Sequence, residues 1–313
     1  MKIGVFLNYV GLGANLLHLS YCHQIAKKYG PVVVITLCKN LKMALEDDPL
    51  IKDVVFFDGK NYKRTLDIFK LSKKLKTNSF EKLYIFYPSL RTYLAAKIAN
   101  IKEVYSYSFY KKKKLHLVNA AKEFTEKILN IDDCPTETKL FIDSEKKNNA
   151  KKNINQNYYN VVIGAGSSGP TTKWGEENYI DLLNKLNLDD NYFFYILCGP
   201  NEKGLSDKIV SKVSKKNCIS LHNKTISEII PLVSLCNMYI GNDSFGHHVM
   251  SQSNIPSIVL LLDTPKAYTD YSKNQFQIIP KGKNINEVKH DTAFNPDLIT
   301  VEQVYNKILE IKN

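Results

Sequence analysis

Short apolar runs alternate with amphipathic stretches along the whole chain, and the alternation restarts after a polar segment at residues 144–157. Parallel strands need a long crossover between them, which a helix supplies, so this alternation indicates βαβ units. We therefore predict an α/β protein with two Rossmann-like, doubly wound parallel-sheet domains, at residues 1–150 and 151–313. Ligands of such sheets bind beyond the carboxyl ends of the strands, and a cleft between two such domains is a natural site.

The predicted strands are residues 3–7, 32–37, 54–57, 83–87 and 104–107 in the first half and residues 159–163, 192–197, 218–221, 238–241, 258–262 and 276–279 in the second. Apolar residues at helical spacing predict helices within residues 16–29, 66–75 and 94–98, and at residues 176–186, 202–213, 226–235, 245–253 and 296–311. The segment 144–157 is the predicted linker, part of which fits an exposed helix.

Basic residues are concentrated in the first half of the chain. Residues 1–150 contain 26 lysines and arginines against 15 acidic residues, whereas residues 151–313 contain 17 against 16. A basic domain attracts anions such as acidic lipid or a phosphorylated glycan. Compositional drift explains the same excess, because lysine and asparagine are abundant throughout. The lysines are not interleaved with an RNA-binding motif, so we expect no nucleic-acid partner.

Cysteine spacing and the apolar runs indicate the compartment. Six scattered cysteines without a C-x-x-C pair are typical of reduced thiols in a cytoplasmic protein. The apolar start of the chain is short, lacks a small-residue cleavage site and is interpreted as a strand. No run approaches the roughly 20 apolar residues that span a bilayer.

Glycines follow the first predicted strand of the chain. Gly11 and Gly13 permit a tight turn and the close approach of a ligand. The dinucleotide fingerprint is incomplete, because Leu16 stands where its last glycine belongs. An ordinary strand-to-helix turn explains the same residues.

A second small-residue loop follows the first strand of the second half. Gly166, Ser167, Ser168 and Lys173 offer backbone N–H groups, hydroxyls and a positive charge to an anion. A flexible Gly/Ser loop is the alternative. Trp174, the single tryptophan, is most simply a packing residue.

The next strand of the second half is followed by a turn that contains Gly199 and Glu202. Glu202 suits the hydroxyls of a ribose as a hydrogen-bond acceptor. An acidic residue at this position is equally expected at a helix N-terminus, where the helix dipole favours negative charge.

Asp243 and Ser244 lie where the fourth strand of the second half ends and a helix begins. Unpaired N–H groups at a helix start bind a pyrophosphate. An aspartate fits there if it caps the helix and leaves the anion to Ser244 and the following N–H groups. His248 adds charge or positions Asp243. A metal site of Asp243, His247 and His248 is disfavoured, because histidines at i and i+1 do not share a helix face.

Taken in order, these motifs resemble the signature of the bacterial heptosyltransferases, glycosyltransferase family 9. The likeness covers roughly residues 158–265 and, more loosely, the first 40 residues. Its elements are similar to the family's K-x-W, G-x-x-E, G-x-D-[ST]-G-x-x-H and I-P, in that order: Lys173 with Trp174, Gly199 to Glu202, Gly241 to Ser244 with His248, and Ile255 with Pro256.

The resemblance implies a GT-B fold, with two Rossmann-like domains facing a cleft and the last helix, residues 296–311, packing back on the first domain. It implies an inverting, metal-independent transfer from a nucleotide-diphosphate sugar, ADP-heptose-like or other, to a lipopolysaccharide or surface-glycan acceptor. Asp243 and Ser244 would serve the diphosphate, Lys173 the phosphate or the developing charge, and Glu202 the ribose. The acceptor would bind the first domain, where lysines 111–114 either contact an acidic glycolipid or form a solvated loop.

Two positions depart from the family pattern. The family's first loop reads G-D-[IVA]-L and its aspartate is taken as the general base, but Ala14 and Asn15 occupy that place here. Neither takes a proton from an acceptor hydroxyl at neutral pH. The catalytic candidates of the first domain are Asn15, which occupies the place of the family's aspartate, and His18, one helical turn on, as a substitute base. Phe245 replaces the motif's glycine and either narrows the donor pocket or stacks on a ring.

We therefore expect a cytoplasmic glycosyltransferase, peripheral at the inner membrane, that needs neither a metal nor another cofactor. Its expected partners are the nucleotide-diphosphate sugar and an anionic glycolipid or glycan acceptor. Two alternatives stay open: a degenerate member that binds the nucleotide sugar without transfer, and a sugar-nucleotide epimerase on the same fold, which needs no acceptor.

Overall fold

The computed structural model describes residues 1–62, 67–108, 116–167, 169–189, 191–213 and 216–312. Each half of the chain forms an α/β unit around one parallel sheet, the first comprising Met1–Phe141 and the second Ile142–Asn313. The predicted fold class, with two Rossmann-like parallel-sheet domains, is confirmed.

The first unit has the strand order β3-β2-β1-β4-β5, in which all neighbours are parallel. Its strands are β1 (Ile3–Leu7), β2 (Val32–Thr36), β3 (Ile51–Phe56), β4 (Lys82–Ile85) and β5 (Glu103–Ser106). Its helices are α1 (Leu12–Leu17), α2 (Leu19–Tyr29), α3 (Leu41–Ala44), α4 (Asp67–Thr77), α5 (Leu90–Ile98) and α6 (Leu117–Leu129). β3 starts earlier than predicted, because Lys52 and Asp53 face solvent on this edge strand and conceal its start in the sequence.

The second unit has the strand order β11-β10-β9-β6-β7-β8, again entirely parallel. Its strands are β6 (Tyr159–Gly164), β7 (Tyr192–Leu197), β8 (Cys218–Ser220), β9 (Met238–Asn242), β10 (Ser257–Leu260) and β11 (Gln275–Ile278). Its helices are α7 (Ser144–Lys151), α8 (Glu176–Leu186), α9 (Lys203–Val213), α10 (Ile226–Val233), α11 (Phe245–Ser251) and α12 (Val301–Lys312). β6, β7 and β9 are buried almost throughout, as expected for central strands covered on both faces.

The polar segment between the halves is partly helical and belongs to the second unit. α7 is capped by the carboxylate of Asp143, which accepts hydrogen bonds from the backbone N–H groups of Glu145 and Lys146. It packs against α10, so the boundary between the units lies at Phe141 and not at residue 150. The last helix, α12, buries Val304 and Ile308 in the core of the second unit beside α8.

The sheet order of the second unit creates a topological switch point. The chain leaves β6 toward β7 and β8 on one side and later returns to β9 on the other, so the loops after β6 and β9 diverge from neighbouring strands. A crevice at the carboxyl ends of such a pair is the usual ligand site of an open α/β sheet.

Among the described residues, every helix is too short or too polar to cross a lipid bilayer. Two features that the sequence singled out, Ser168 and the lysines at 111–114, lie outside the described residues.

Candidate functional site

Asn15 organises the loop that follows β1. Its side-chain amide donates to the carbonyl oxygens of Tyr9 (3.1 Å) and Gly11 (2.7 Å), and its carbonyl accepts a hydrogen bond from Thr36 Oγ1 at 2.7 Å. Asn15 is 1% exposed, so its hydrogen-bonding groups are occupied within the protein. In this structure Asn15 holds the shape of the loop, and its assignment as a catalytic residue stays a prediction.

His18 is buried beneath the same loop. Its Nδ1 lies 2.6 Å from the carbonyl oxygen of Ala14, which can only accept, so Nδ1 carries the proton. Nε2 is left as an acceptor with no hydrogen-bond partner among the described residues. Burial lowers the pKa of His18 to about 4, although the bond to Ala14 opposes this shift. The ring also stacks on Tyr9, with centroids 4.6 Å apart.

These surroundings make His18 a poor general base. It is neutral at physiological pH, but a base with a pKa near 4 takes a proton weakly, and its ring has no exposed surface. In this conformation the ring of His18 is closed to an acceptor, and its role as a substitute base stays a prediction. Gly13 and Ala14 are half-buried and Gly11 is exposed, so this part of the loop presents backbone and a methyl group but no carboxylate.

The loops after β6 and β7 touch each other through Gly166. A Cβ at this position would lie 2.8 Å from the Cα of Cys198 and closer still to the carboxylate of Glu202. Only glycine permits this approach without a shift of the backbone. The glycine is therefore required by the contact between two loops, and not only by flexibility.

Glu202 and Lys173 form one charged pair at this contact. Lys173 Nζ lies 2.6 Å from Glu202 Oε1, which also accepts from the backbone N–H of Ser167 at 3.3 Å. Glu202 Oε2 accepts from the backbone N–H of Gly199 at 2.9 Å, so the helix-capping alternative for Glu202 is also observed. Burial raises the pKa of Glu202, but the hydrogen bonds from Lys173 and the two N–H groups outweigh it and leave the pKa lowered.

Trp174 and Asn242 tie the loop after β6 to the end of β9. Trp174 is fully buried and donates from Nε1 to the carbonyl of Ile299 at 2.7 Å, which is the packing role predicted for it. Asn242 accepts from the backbone N–H of Trp174 at 2.9 Å and donates to the carbonyl of Ala165 at 2.8 Å. The two loops of the switch point are thus held together by buried hydrogen bonds.

Ser244, not Asp243, is the N-cap residue of α11, and its side chain makes no capping hydrogen bond. Tyr239 donates its hydroxyl proton to the carbonyl of Asn242 at 2.6 Å, since a carbonyl can only accept. In the 2.9 Å contact between Tyr239 Oη and Ser244 Oγ, the serine is therefore the donor. Two lone pairs of Ser244 Oγ remain available, while its proton is engaged.

The carboxylate of Asp243 turns to the histidines of α11 instead of capping the helix. His247 Nε2 lies 2.6 Å from Asp243 Oδ1, and His248 Nε2 lies 3.7 Å from the same oxygen. Burial raises the pKa of Asp243, but the hydrogen bonds and charge of the two histidines outweigh it and hold the pKa well below its usual range. Asp243 is therefore ionised throughout the physiological pH range.

Gln275 determines which nitrogen of His247 carries the proton. The carbonyl oxygen of Gln275 accepts from the backbone N–H groups of Tyr271 (3.3 Å) and Ser272 (3.2 Å), which fixes the orientation of the amide. Its amide nitrogen therefore donates to His247 Nδ1, 3.2 Å away. Nδ1 must accept, so the proton of a neutral His247 is on Nε2, where it donates to Asp243.

Asp243, His247 and His248 bring three ligand-type atoms within 4.8 Å of one another. The expected separation of the two histidines on the helix is not observed, because His247 Nε2 and His248 Nε2 lie 2.6 and 3.7 Å from the same oxygen of Asp243. The hydrogen bonds still disfavour a cation, since a metal needs the Nε2 lone pair that the proton occupies in His247. His248 is held at Nδ1 by Tyr271 Oη, 2.8 Å away.

Three residues at the site were missed by sequence reasoning. Asp263, after β10, accepts a hydrogen bond from Thr171 Oγ1 and one from the backbone N–H of Ala293 at 3.3 Å, and is 7% exposed. Gln275 and Tyr271 contact the histidines of α11. Asp263 follows an apolar strand in the same way as Asp243, which is the one sequence signal that pointed to it.

The predicted donor residues therefore gather in the second unit at the carboxyl ends of β6, β7 and β9. Half-buried members of this group line the switch point: Ser167, Lys173, Gly199, Glu202, Asp243, Ser244 and Phe245. His248 lies behind them, 1% exposed. The group combines an ion pair, hydroxyls and the start of a helix, a set suited to binding a polar, anionic ligand.

Residues 94–296 match glycosyltransferase family 9 (heptosyltransferase). A curated relative, lipopolysaccharide heptosyltransferase 1 of Campylobacter coli, is 22% identical over 283 residues, which cover 89% of this chain and 75% of the relative.

Solved structures show the same fold over the whole chain. A family 9 glycosyl transferase from Veillonella parvula matches with a TM-score of 0.79 and 15% identity, covering 100% of this chain and 98% of its own. The heptosyltransferase WaaC of E. coli, solved with ADP, matches with a TM-score of 0.75 and 12% identity, covering 99% of each chain.

Proposed function

Because the chain belongs to glycosyltransferase family 9, the heptosyltransferase family, we propose that it transfers a sugar from a nucleotide-diphosphate donor, bound at the switch point of the second unit, to a surface glycan. The observation that carries this proposal is the Lys173–Glu202 pair beside Ser244 and Asp243 at the carboxyl ends of β6, β7 and β9. Similarity to WaaC, which was solved with ADP, supports a nucleoside diphosphate as the product.

Lys173 is the proposed phosphate ligand. One of its three N–H donors is engaged by Glu202, 2.6 Å away, and the other two are available to a phosphate oxygen. Glu202 holds the lysine in place and keeps acceptor capacity for a ribose hydroxyl. Its lowered pKa keeps it charged, so the pair presents a lysine that is oriented before the donor binds.

Asp243 and Ser244 are proposed to contact the sugar and the diphosphate. A carboxylate repels a phosphate, so Asp243 is better suited to accept a hydroxyl of the sugar. Oδ1 of Asp243 accepts a hydrogen bond from His247 at 2.6 Å, and His248 Nε2 lies 3.7 Å from the same oxygen. We assign the other carboxylate oxygen, Oδ2, to a hydroxyl of the sugar. Ser244, at the first turn of α11, lies next to N–H groups that lack intrahelical partners and can donate to the diphosphate.

Transfer would proceed by a single displacement with inversion. The acceptor oxygen forms a bond to the anomeric carbon, the bond from that carbon to the phosphate oxygen breaks, the nucleoside diphosphate departs, and the proton of the acceptor hydroxyl passes to solvent water. Lys173 stabilises the charge on the leaving diphosphate. We propose that this transfer requires no metal ion, because the proton on Nε2 of His247 occupies the lone pair that a metal ion would need. Activity should then survive a chelator.

The proposed acceptor is an anionic lipopolysaccharide-type glycolipid, met at the cytoplasmic face of the inner membrane. The excess of basic residues in the first 150 positions supports an anionic acceptor. Similarity to a lipopolysaccharide heptosyltransferase supports the same class.

One observation favours a second candidate function, binding of the nucleotide sugar without transfer. Position 14 has a methyl group where the family's base is expected, Asn15 is saturated with hydrogen bonds and His18 is buried. Release of nucleoside diphosphate that depends on a glycolipid acceptor distinguishes transfer from binding alone. Conversion of the sugar nucleotide without an acceptor identifies an epimerase.

The donor site is tested by calorimetric titration of ADP, UDP and GDP into wild-type protein and variants. Lys173→Ala removes a charged hydrogen bond worth about 1.5–3 kcal/mol, so affinity falls about tenfold to a hundredfold. Lys208→Ala is the matched control, since Lys208 also pairs with glutamates in the second unit, at Glu176 and Glu177. Equal affinities of the Lys173 and Lys208 variants would refute the assignment.

A further inference from the structure

The solvent face of α5 is apolar. Leu90, Leu94 and Ile98, spaced four residues apart, are 54%, 42% and 46% exposed, while Ala95 and Ala96 fill the opposite face against the core. Residues at this spacing form one stripe on a helix. A surface helix normally directs such a stripe to the core and its polar residues to water.

α4 packs beside α5 and extends this face. It adds Phe69, which is 61% exposed. Exposed basic residues surround the apolar side chains on both helices: Lys70, Lys73, Lys76, Arg91 and Lys97. The only acidic residue in the two helices is Asp67, which is buried and pairs with Lys70 at 3.0 Å. We call the exposed side of α4 and α5 the α4–α5 face.

We propose that the α4–α5 face docks on the surface of a bilayer containing anionic lipid. Single exposed apolar residues are ordinary, but four on two adjacent helices with a basic border are not. Helices that lie in a membrane interface combine these features, with apolar side chains among the acyl chains and lysines at the phosphate level. The long stems of the lysines cover apolar surface while their amines reach the headgroups.

The positive charge of the α4–α5 face favours an anionic bilayer over a second copy of the chain. A symmetric dimer through this face would bring the same lysines of both copies together, with no acidic partner on the face. An anionic bilayer supplies the opposite charge over the whole face. The inference goes beyond the transfer reaction, because binding to lipid needs neither the nucleotide sugar nor turnover.

The test is flotation of the full chain with two kinds of vesicle, phosphatidylcholine alone and phosphatidylcholine mixed with phosphatidylglycerol. We expect the wild type to float with the mixed vesicles and to be released by high salt. Lys73→Gln with Lys76→Gln should weaken this partition about tenfold or more, and Leu94→Ser should weaken it several-fold. Thermal unfolding followed by circular dichroism verifies that each variant is folded.

The controls make the same chemical changes elsewhere on the surface. Lys147→Gln with Lys151→Gln removes two exposed lysines from α7, and Leu188→Ser removes an apolar side chain that is 87% exposed. Both controls should float like the wild type.

An equal loss of flotation in the variants and the controls, or no flotation of the wild type, overturns the proposal. So does a dimer in sedimentation that Leu94→Ser dissociates, which would assign the face to a second copy. Nucleotide binding is measured in a separate experiment, so a negative flotation result would not contradict the proposed donor site.

Discussion

The hydrogen bond between Asp243 and His247 is predicted to stabilise the second unit by about 2 kcal/mol. Its length is 2.6 Å, its acceptor is ionised, and the side chains of His247 and Asp243 are 0% and 15% exposed. A hydrogen bond to a charged group contributes about 1.5–3 kcal/mol, and the partial exposure of Asp243 places this one in the lower part of that range. A double-mutant cycle of Asp243→Ala and His247→Ala isolates the value, because the loss of packing cancels.

Trp174 supplies the assay. It is the only tryptophan, lies in the second unit and is fully buried, so its fluorescence in urea follows the unfolding of the unit that contains the pair. His248 is the matched comparison, because its Nε2 is 3.7 Å from the same carboxylate oxygen and should couple more weakly. A coupling energy below about 0.5 kcal/mol for Asp243 and His247, or one no larger than for His248, would refute the reasoning.

Three further predictions concern the switch point of the second unit and the loop after β1. Acidification should destabilise the second unit from about pH 4 downward, because the pKa of Asp243 is lowered on folding and the unfolded chain therefore binds the proton first. Trp174 fluorescence in urea at each pH measures the free energy of unfolding. His247→Ala should flatten its dependence on pH. Gly166→Ala should cost about 1–3 kcal/mol, by the same assay, and weaken nucleotide binding in calorimetry, since its Cβ meets Cys198. Ala14→Asp should raise acceptor-dependent release of nucleoside diphosphate at least about tenfold by supplying a base. Unchanged turnover in this folded variant would contradict a role for position 14.

The strand pattern was predictable because it depends on local burial. Central strands such as β1 and β7 are continuous apolar runs, since helices cover both faces of a parallel sheet. The edge strand β3 was placed too late, because half of its residues face solvent. α6 was not predicted at all, although its buried residues Val118, Ala121, Thr125 and Leu129 recur at helical spacing in the structure.

Motif order predicted which loops meet in the second unit but not what their side chains do there. The sequence assigned Lys173 and Glu202 to different parts of the donor, whereas the contact at Gly166 pairs them. Gln275 lies 28 residues from His247, and nothing local shows that β11 brings its amide to the ring. Partners distant in the chain depend on sheet order, which no local pattern contains.

The burial of His18 shows the same limit in the first unit. Its position one turn beyond Ala14 suggested a substitute base, since helical spacing places both on one side. The structure uses that spacing for a hydrogen bond from Nδ1 to Ala14 and covers the ring with Tyr9. Sequence gives the spacing of two residues, but the loop that folds over them decides whether they face solvent.

We expect a nucleoside diphosphate to bind at the switch point of the second unit. Amide hydrogen exchange followed by mass spectrometry, with ADP, UDP or GDP added, tests it most directly, because it reports both binding and place. At least one of these nucleotides should slow exchange in residues 165–175, 199–203 and 243–248. Lys173→Ala should reduce this protection, whereas Lys208→Ala should not. Protection confined to other segments, or none with any nucleotide, would contradict it.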